Sequence, residues 1–96
     1  MRVLYVAPCE APVVKELEPT RDAIAKQIGD GCKELCQEDL LEVACFYDLR
    51  GLQKLLPPNR KPVGMRHTIV GGIVVAKKDF TSLNDIEVAR LKRQFA

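Results

Sequence analysis

Residues 68–76, Thr-Ile-Val-Gly-Gly-Ile-Val-Val-Ala, form the longest stretch of this chain without a charged side chain. Apolar residues fall on both faces of the strand that they would form, which is typical of a strand buried on both sides. We therefore predict that residues 68–76 are the central strand of the fold. Gly71 and Gly72 fall in its middle, where glycine weakens pairing. We expect them either to form a bulge or to permit close approach by backbone or by a ligand.

Four earlier segments are predicted to join the same sheet, because each combines β-branched or aromatic residues with flanking turn residues. Their predicted ranges are 3–6, 13–17, 32–37 and 41–47. Glu38 and Asp39 are expected to end the third strand, and the short turn there predicts a hairpin. Alternate positions from Leu41 to Tyr47 are apolar or aromatic, so we expect that face to contact the core. The opposite face, which carries Phe46, is expected to be partly exposed.

Two helices are predicted, over residues 20–29 and from Ser82 to near the end of the chain. Thr20 is expected to cap the first helix, and Gly29 to end it in the left-handed conformation. Asp30 is expected to continue that turn. Residues 82–85, Ser-Leu-Asn-Asp, resemble a capping box and predict the start of the second helix.

The second helix carries two apolar stripes. Their residues are Leu83, Ile86 and Ala89 in one stripe and Val88, Leu91 and Phe95 in the other. One stripe is expected to face the core. The other either widens that buried face or contacts a partner, so a homodimer through this helix is one possible outcome.

Together these elements predict an α+β fold, with a mixed or antiparallel sheet of four to five strands and two helices. The length of 96 residues allows one core, so residues 1–96 are expected to form a single domain. The apolar run after Met1 ends at Pro8, which does not fit a signal peptide. The uncharged stretch 68–76 is about half a membrane span. We expect a soluble cytoplasmic protein that contacts no membrane.

The two halves of the chain carry opposite net charge. Residues 1–48 hold five Lys and Arg against ten Asp and Glu, a balance of −5. Residues 49–96 hold ten against three, a balance of +7. Either the second half presents a basic surface for phosphates or acidic proteins, or the two halves fold together and neutralise each other.

The local basic cluster is Arg60-Lys61 with Arg66-His67. It lies in or next to residues 49–65, a segment that three prolines keep irregular. An irregular segment of this length within a small domain is either a functional loop or a plain crossover connection.

The sequence contains no catalytic or metal-binding motif. Its four cysteines lack two closely spaced ligand pairs, so we expect reduced thiols rather than zinc or disulfides. His67 is the single histidine; the sequence places no carboxylate or serine beside it, and the adjacent Arg66 would lower its pKa. We expect no cofactor, no metal and no enzymatic activity. An enzyme working through a cysteine or His67 is the remaining alternative.

Two motifs resemble a family of small domains of unknown function from bacterial mobile elements and phages. Residues 56–60, Leu-Pro-Pro-Asn-Arg, resemble its Leu-Pro-x-Asn-Arg segment, and residues 80–85 resemble its Phe-x-Ser-Leu-x-Asp helix start. The chain departs from the family pattern at Asp30, which replaces a glycine, and at residues 47–51, which lack the family's Asn. Because that family has no settled activity, the resemblance implies a context more than a mechanism. Short non-enzymatic proteins in such elements often counter host defences, by masking a nuclease or by sequestering a nucleotide signal.

We therefore expect stoichiometric binding and inhibition of a host defence factor, in the manner of anti-restriction or anti-CRISPR proteins. The partner would be a host protein or nucleoprotein complex. The alternative is a sponge that sequesters an anionic nucleotide, with side chains contacting phosphate and glycine amides approaching closely. The candidate binding residues are Asn59, Arg60, Lys61, Arg66, His67, Gly71 and Gly72.

Overall fold

The fold consists of one five-stranded sheet and two α-helices. The structure, a computed structural model, describes residues 1–29 and 31–96. Its elements in chain order are β1 (Arg2–Val6), β2 (Val13–Glu16), α1 (Arg21–Ile28), β3 (Leu35–Asp39), β4 (Val43–Asp48), β5 (Ile73–Lys77) and α2 (Asp85–Gln94).

β5 is the central strand, and the strand order is β2-β1-β5-β4-β3. Val75 of β5 pairs with Leu4 on β1 and with Cys45 on β4. Every strand pair is antiparallel. The predicted α+β fold, with a five-stranded sheet and two helices, is therefore confirmed.

Each face of the sheet is covered by a different layer. On one face, Ile24 of α1 packs in a cluster with Phe46 and Val74. The other face is covered by α2 and by the connecting segment, defined here as residues 49–72 between β4 and β5. The buried side chains of that covering layer are Met65, Ile69, Leu83, Leu91 and Phe95. Because both faces are covered, β4 is buried along its whole length.

The central strand starts five residues later than predicted. Gly71 has a φ of +82°, in the left-handed region, so the extended run cannot begin before it. The two glycines therefore precede β5 instead of lying in its middle. A Cβ on Gly71 would lie 2.9 Å from Cδ1 of Leu56, and one on Gly72 would lie 2.7 Å from the hydroxyl of Tyr5. Both glycines make room for side chains of this same chain.

The β3–β4 hairpin is confirmed, but its boundaries differ from the predicted ones. β3 starts at Leu35 and continues through Glu38 and Asp39, which were expected to end it. Leu41 was expected on the core and is 97% exposed, because the hydrogen bond from the Leu40 amide to the Val43 carbonyl (2.8 Å) closes a turn there. Phe46 was expected on a partly exposed face and is fully buried under α1.

The observed ends of α1 agree only in part with those predicted from the sequence. Thr20 caps α1 by accepting a hydrogen bond from the Ala23 amide (3.2 Å), as predicted. Gly29 has a φ of 164°, which is extended backbone and not the predicted left-handed conformation. The prediction for Asp30 lies outside the described residues. Within those residues, neither helix has the length and apolarity to cross a membrane.

α2 begins later than predicted. The capping box is formed by Asn84 and Glu87, so the helix starts at Asp85. Ser82, the predicted start, instead accepts a hydrogen bond from the Arg2 amide (3.0 Å). The predicted stripe with Leu91 and Phe95 faces the core. In the other stripe, Leu83 precedes the helix and is also buried, whereas Ile86 is exposed.

We predict that Gly71→Ala lowers the free energy of unfolding by about 1–2 kcal/mol, because an L side chain in the left-handed region is strained. Gly29→Ala is the matched control, since nothing lies within 4 Å of its added Cβ and its backbone is extended. Urea unfolding of both variants measures the difference. Equal stability of the two variants would contradict the left-handed assignment at Gly71.

Candidate functional site

The guanidinium of Arg60 joins three parts of the chain. It donates hydrogen bonds to the carbonyls of Ala7 (3.1 Å) and Glu10 (2.7 Å) in the β1–β2 loop. It also donates to the Phe95 carbonyl at the end of α2, and to Oδ1 of Asn59 (2.8 Å). The donors that were expected to contact phosphate are therefore bonded to neutral acceptors of the protein itself.

The side chain of Asn59, like that of Arg60, is hydrogen-bonded to backbone carbonyls of this chain. Its side-chain amide donates to the carbonyls of Val6 (2.8 Å) and Gly71 (2.7 Å). Its backbone amide donates to the carbonyl of Ile69 (2.8 Å). Asn59 thus fixes the connecting segment to the ends of β1 and β5.

Lys61 and Arg66 lie on the same segment as Arg60, but both are exposed. The bond between Arg60 and the Phe95 carbonyl places this segment beside the last turn of α2, where Lys92 and Arg93 are also exposed. We call these four side chains the cationic surface. Within residues 1–29 and 31–96, none of the four forms an ion pair.

His67 belongs to a cluster with Glu38 and Tyr47 that was not expected from the sequence. Its Nε2 lies 2.8 Å from Oε1 of Glu38, and its Nδ1 lies 3.2 Å from the Thr68 carbonyl. The hydroxyl of Tyr47 donates to the same Oε1. Both ring nitrogens face acceptors, and only the protonated imidazolium can donate to both.

The pKa values of the cluster follow from these contacts. The hydrogen bond with Glu38, followed by that with the Thr68 carbonyl, raises the pKa of His67 above 6.5, opposite to the lowering expected from Arg66. Hydrogen bonds from Tyr47 and His67 lower the pKa of Glu38 below 4.5. Burial, followed by the contacts with Cys36 and Glu38, raises the pKa of Tyr47 above 10. The cluster therefore favours the protonated form of His67 and the ionised form of Glu38, with Tyr47 as a neutral donor.

The cysteines occupy varied environments. Cys45 is buried, and this burial raises the pKa of its thiol to about 12, which disfavours the reactive thiolate. Partial burial likewise raises the pKa of Cys32. Cys36 is half-buried next to Tyr47, and Cys9 is exposed. Among the described residues, no group of three or more His, Cys, Asp or Glu side chains is arranged to hold a metal ion.

The structure divides the seven candidate residues into two groups. Asn59, Arg60, Gly71 and Gly72 are half-buried or buried and contact other parts of this chain. Lys61, Arg66 and His67 are exposed. Lys92 and Arg93 could not be recognised from the sequence as neighbours of this segment, because the helix dipole alone accounts for basic residues at the end of α2.

An apolar cleft of about 670 Å³ lies next to the cationic surface. It is bounded by the β3–β4 turn, by α2 and by the connecting segment at Val63 and Gly64. The cleft could not be predicted from the sequence, since Leu41 at its edge was expected to be buried.

The chain belongs to the family described as Domain of unknown function (DUF3846), whose model matches residues 1–96. No curated protein and no solved structure matches the chain. Membership in a small uncharacterised family is therefore confirmed. The association with mobile elements and phages stays a prediction.

We predict that Arg60→Ala lowers the free energy of unfolding by about 2–3 kcal/mol, because it leaves several backbone carbonyls without a donor. Lys61→Ala is the matched control and should change stability by less than about 0.5 kcal/mol. Chemical denaturation followed by circular dichroism compares the two. If Arg60→Ala were as mild as Lys61→Ala, the guanidinium would not hold these elements together.

We predict that the single histidine titrates above its ordinary pKa of 6.5 in the folded protein and returns toward that value in Glu38→Gln. Because the pKa of His67 is raised in the folded protein, protonated His67 stabilises the fold below pH 6.5. This stabilisation is lost as the pH rises through the pKa that His67 has in the folded protein. The lowered pKa of Glu38 contributes above pH 4.5 and is lost on acidification. The ion pair is therefore strongest between about pH 4.5 and 6.5.

An NMR titration of the His67 ring protons measures this directly, since no other histidine overlaps. Asp39→Asn, which removes a neighbouring carboxylate on the same strand, is the control. The interpretation fails if His67 titrates at or below 6.5 in the wild type, or if Glu38→Gln leaves its pKa unchanged.

Proposed function

We propose that this protein is a non-enzymatic binding module that inhibits a host defence factor by covering an acidic surface of that factor. The cationic surface carries this proposal. Elsewhere in the chain, side chains such as Arg2, Arg50 and Lys54 are paired with carboxylates of the protein itself. Among the described residues, Lys61, Arg66, Lys92 and Arg93 form no such pair; exposed lysines elsewhere, such as Lys15 and Lys26, also form none, but they lie on β2 and α1, away from the connecting segment.

Unpaired cations grouped on one surface attract an acidic partner over a distance of about one Debye length, roughly 8 Å at physiological salt. Such steering raises the association rate and selects partners of opposite charge. It also makes binding strongly dependent on salt. Part of the charge difference between the two halves is neutralised inside the fold, since Arg50 pairs with Glu34 and Arg90 with Glu42. We interpret only the cations of the cationic surface as a contact surface.

The segment that carries Lys61 and Arg66 is held in place before binding. Met65 is 6% exposed and packs with Leu91 and Phe95 of α2. The hydrogen bonds of Arg60 with the Phe95 carbonyl and of His67 with Glu38 fix the two sides of this short segment. A preorganised surface loses less conformational entropy on binding, which favours tight association.

The geometry of His67 supports binding over catalysis. A general base needs a ring nitrogen within reach of the substrate proton. Here Nε2 faces Glu38 and Nδ1 faces the Thr68 carbonyl, so both nitrogens are engaged within the protein. We therefore assign His67 to holding the connecting segment.

The nucleotide-sponge alternative receives less support from the contacts. The donors of Asn59 and Arg60 bond to backbone carbonyls, and the Gly71 amide donates to the Pro57 carbonyl (2.7 Å). A phosphate would have to displace these bonds. We therefore treat nucleotide binding as an outcome of the test below and not as a second proposed function.

We predict that the double variant Lys61→Glu with Arg66→Glu loses inhibition of a host defence. The measurement is the plating efficiency of a phage on bacteria that carry a restriction or CRISPR system and express each variant. Wild-type protein should raise plating efficiency, and the charge-reversed variant should lose at least tenfold of that effect.

Lys15→Glu with Lys26→Glu is the matched control. It changes the net charge equally but alters exposed lysines on β2 and on α1, which covers the opposite face of the sheet. The control should keep wild-type activity. Equal activity of both double variants, or no effect of the wild type on any defended host, would overturn the proposal. Heat released on titration of wild-type protein with a panel of nucleotides would favour the sponge instead.

A further inference from the structure

The sheet has two edge strands, β2 and β3, and their outer sides differ. Arg21 lies against the edge of β3, where its guanidinium donates to the Leu35 carbonyl (3.2 Å) and to Oε1 of Gln37 (3.0 Å). In β2 all four residues are exposed, including Val13 (44%) and Val14 (41%). Natural proteins usually shield or charge an edge strand, because its free backbone groups can pair with another chain. β2 is therefore the more open edge of this sheet.

The hydrogen bonds between β1 and β2 determine which backbone groups of β2 point away from the sheet. The Leu17 amide donates to the Met1 carbonyl (2.9 Å), and the Met1 nitrogen donates to the Leu17 carbonyl. Bonded and non-bonded pairs alternate along an antiparallel ladder, so Lys15 bonds to β1, whereas Val14 and Glu16 do not. The amides and carbonyls of Val14 and Glu16 therefore point outward. Among the described residues, these groups have no further backbone partner.

The β1–β2 hairpin holds this edge in place before any pairing. Arg60 donates to the carbonyls of Ala7 (3.1 Å) and Glu10 (2.7 Å) in the loop that precedes β2. At the other end, β2 is bonded to β1 through Leu17 and Met1. A strand that is fixed at both ends loses little conformational entropy when it pairs with another strand.

The composition of β2 favours a copy of the same strand over a charged partner. β2 holds one lysine and one glutamate, so it has no net charge that would select an acidic or a basic segment. Its two valines lie on opposite faces of the sheet, since Val13 is opposite Tyr5 and Val14 is opposite Leu4. In a symmetric dimer the same patch of both copies meets, so the strand must match itself.

The outward-facing residues allow three antiparallel registers between two copies of β2, and their charges separate these registers. Pairing Val14 with Glu16 of the second copy would place the two Lys15 side chains directly opposite each other. Pairing Glu16 with Glu16 would place two carboxylates directly opposite each other. Like charges in these positions are destabilising. Pairing Val14 with Val14 avoids both contacts and places two apolar side chains together at the twofold axis.

We infer that this protein forms a symmetric dimer in which β2 pairs antiparallel with β2 of a second copy, with the two Val14 residues opposite each other. The two Val14 residues would then exchange amide–carbonyl hydrogen bonds, and the two five-stranded sheets would become one continuous sheet. Pro12, which precedes β2, has no amide proton to donate, so the pairing stays short. This inference goes beyond the proposed function and does not depend on it.

The test is sedimentation velocity over a range of protein concentrations. A pair of four-residue strands associates weakly, so the range should extend to about 1 mM. Wild-type protein should change from monomer to dimer as the concentration rises. Val14→Lys and Val14→Glu should each weaken the dimer at least tenfold, because like charges then meet at the twofold axis. An equimolar mixture of these two variants should form a heterodimer, because opposite charges then meet there.

Ile86→Lys is the matched control, because Ile86 is 77% exposed and lies on α2. It should dimerise as wild type does, and circular dichroism checks that every variant folds. The proposal is overturned if wild type stays monomeric at every concentration, or if the mixed Val14 variants form no heterodimer. It is also overturned if Ile86→Lys dissociates the dimer, because α2 would then be the interface. Tighter dimerisation of Val14→Lys than of wild type would overturn it as well, because the introduced lysine would then lie opposite Glu16.

Discussion

The bonds of the Arg60 guanidinium to backbone carbonyls are the interaction on which the exposed surface depends. Strands β1, β4 and β5 are held together by the backbone hydrogen bonds between neighbouring strands. The connecting segment forms only one isolated β-bridge, between Pro58 and Val70. Its position is instead set by side chains that reach backbone oxygens of distant elements. Arg60 reaches Ala7, Glu10 and Phe95, so one side chain determines where the β1–β2 loop, the segment and the end of α2 meet.

The sheet could be predicted from the sequence because its signals are local. Alternation from Val43 to Tyr47 and the dense apolar run of Ile73 to Ala76 both identify buried strands, and both strands were found. The predicted strand boundaries were wrong where the backbone conformation of a single residue or turn overrides the pattern of apolar residues. A left-handed Gly71 delays β5, and a turn closed between Leu40 and Val43 removes Leu41 from the core.

The candidate site could be predicted less well, because its contacts are non-local and involve backbone atoms. Glu38 and His67 are 29 residues apart, and nothing in either local sequence indicates that they pair. The carbonyl acceptors of Arg60 belong to residues of any type, so side-chain patterns do not identify them. The basic residues of the sequence therefore show that the segment is cationic. They do not show that Arg60 points inward whereas Lys61 is exposed.

Inward and outward residues alternate irregularly along this segment, and the alternation has an evolutionary consequence. Asn59, Arg60, Met65 and Ile69 hold the backbone in place, whereas Lys61, Val63 and Arg66 reach solvent. Mutations at the outward positions leave the anchoring contacts intact. In evolution, the charge and apolarity of this surface can therefore diverge through a few substitutions at little cost to folding.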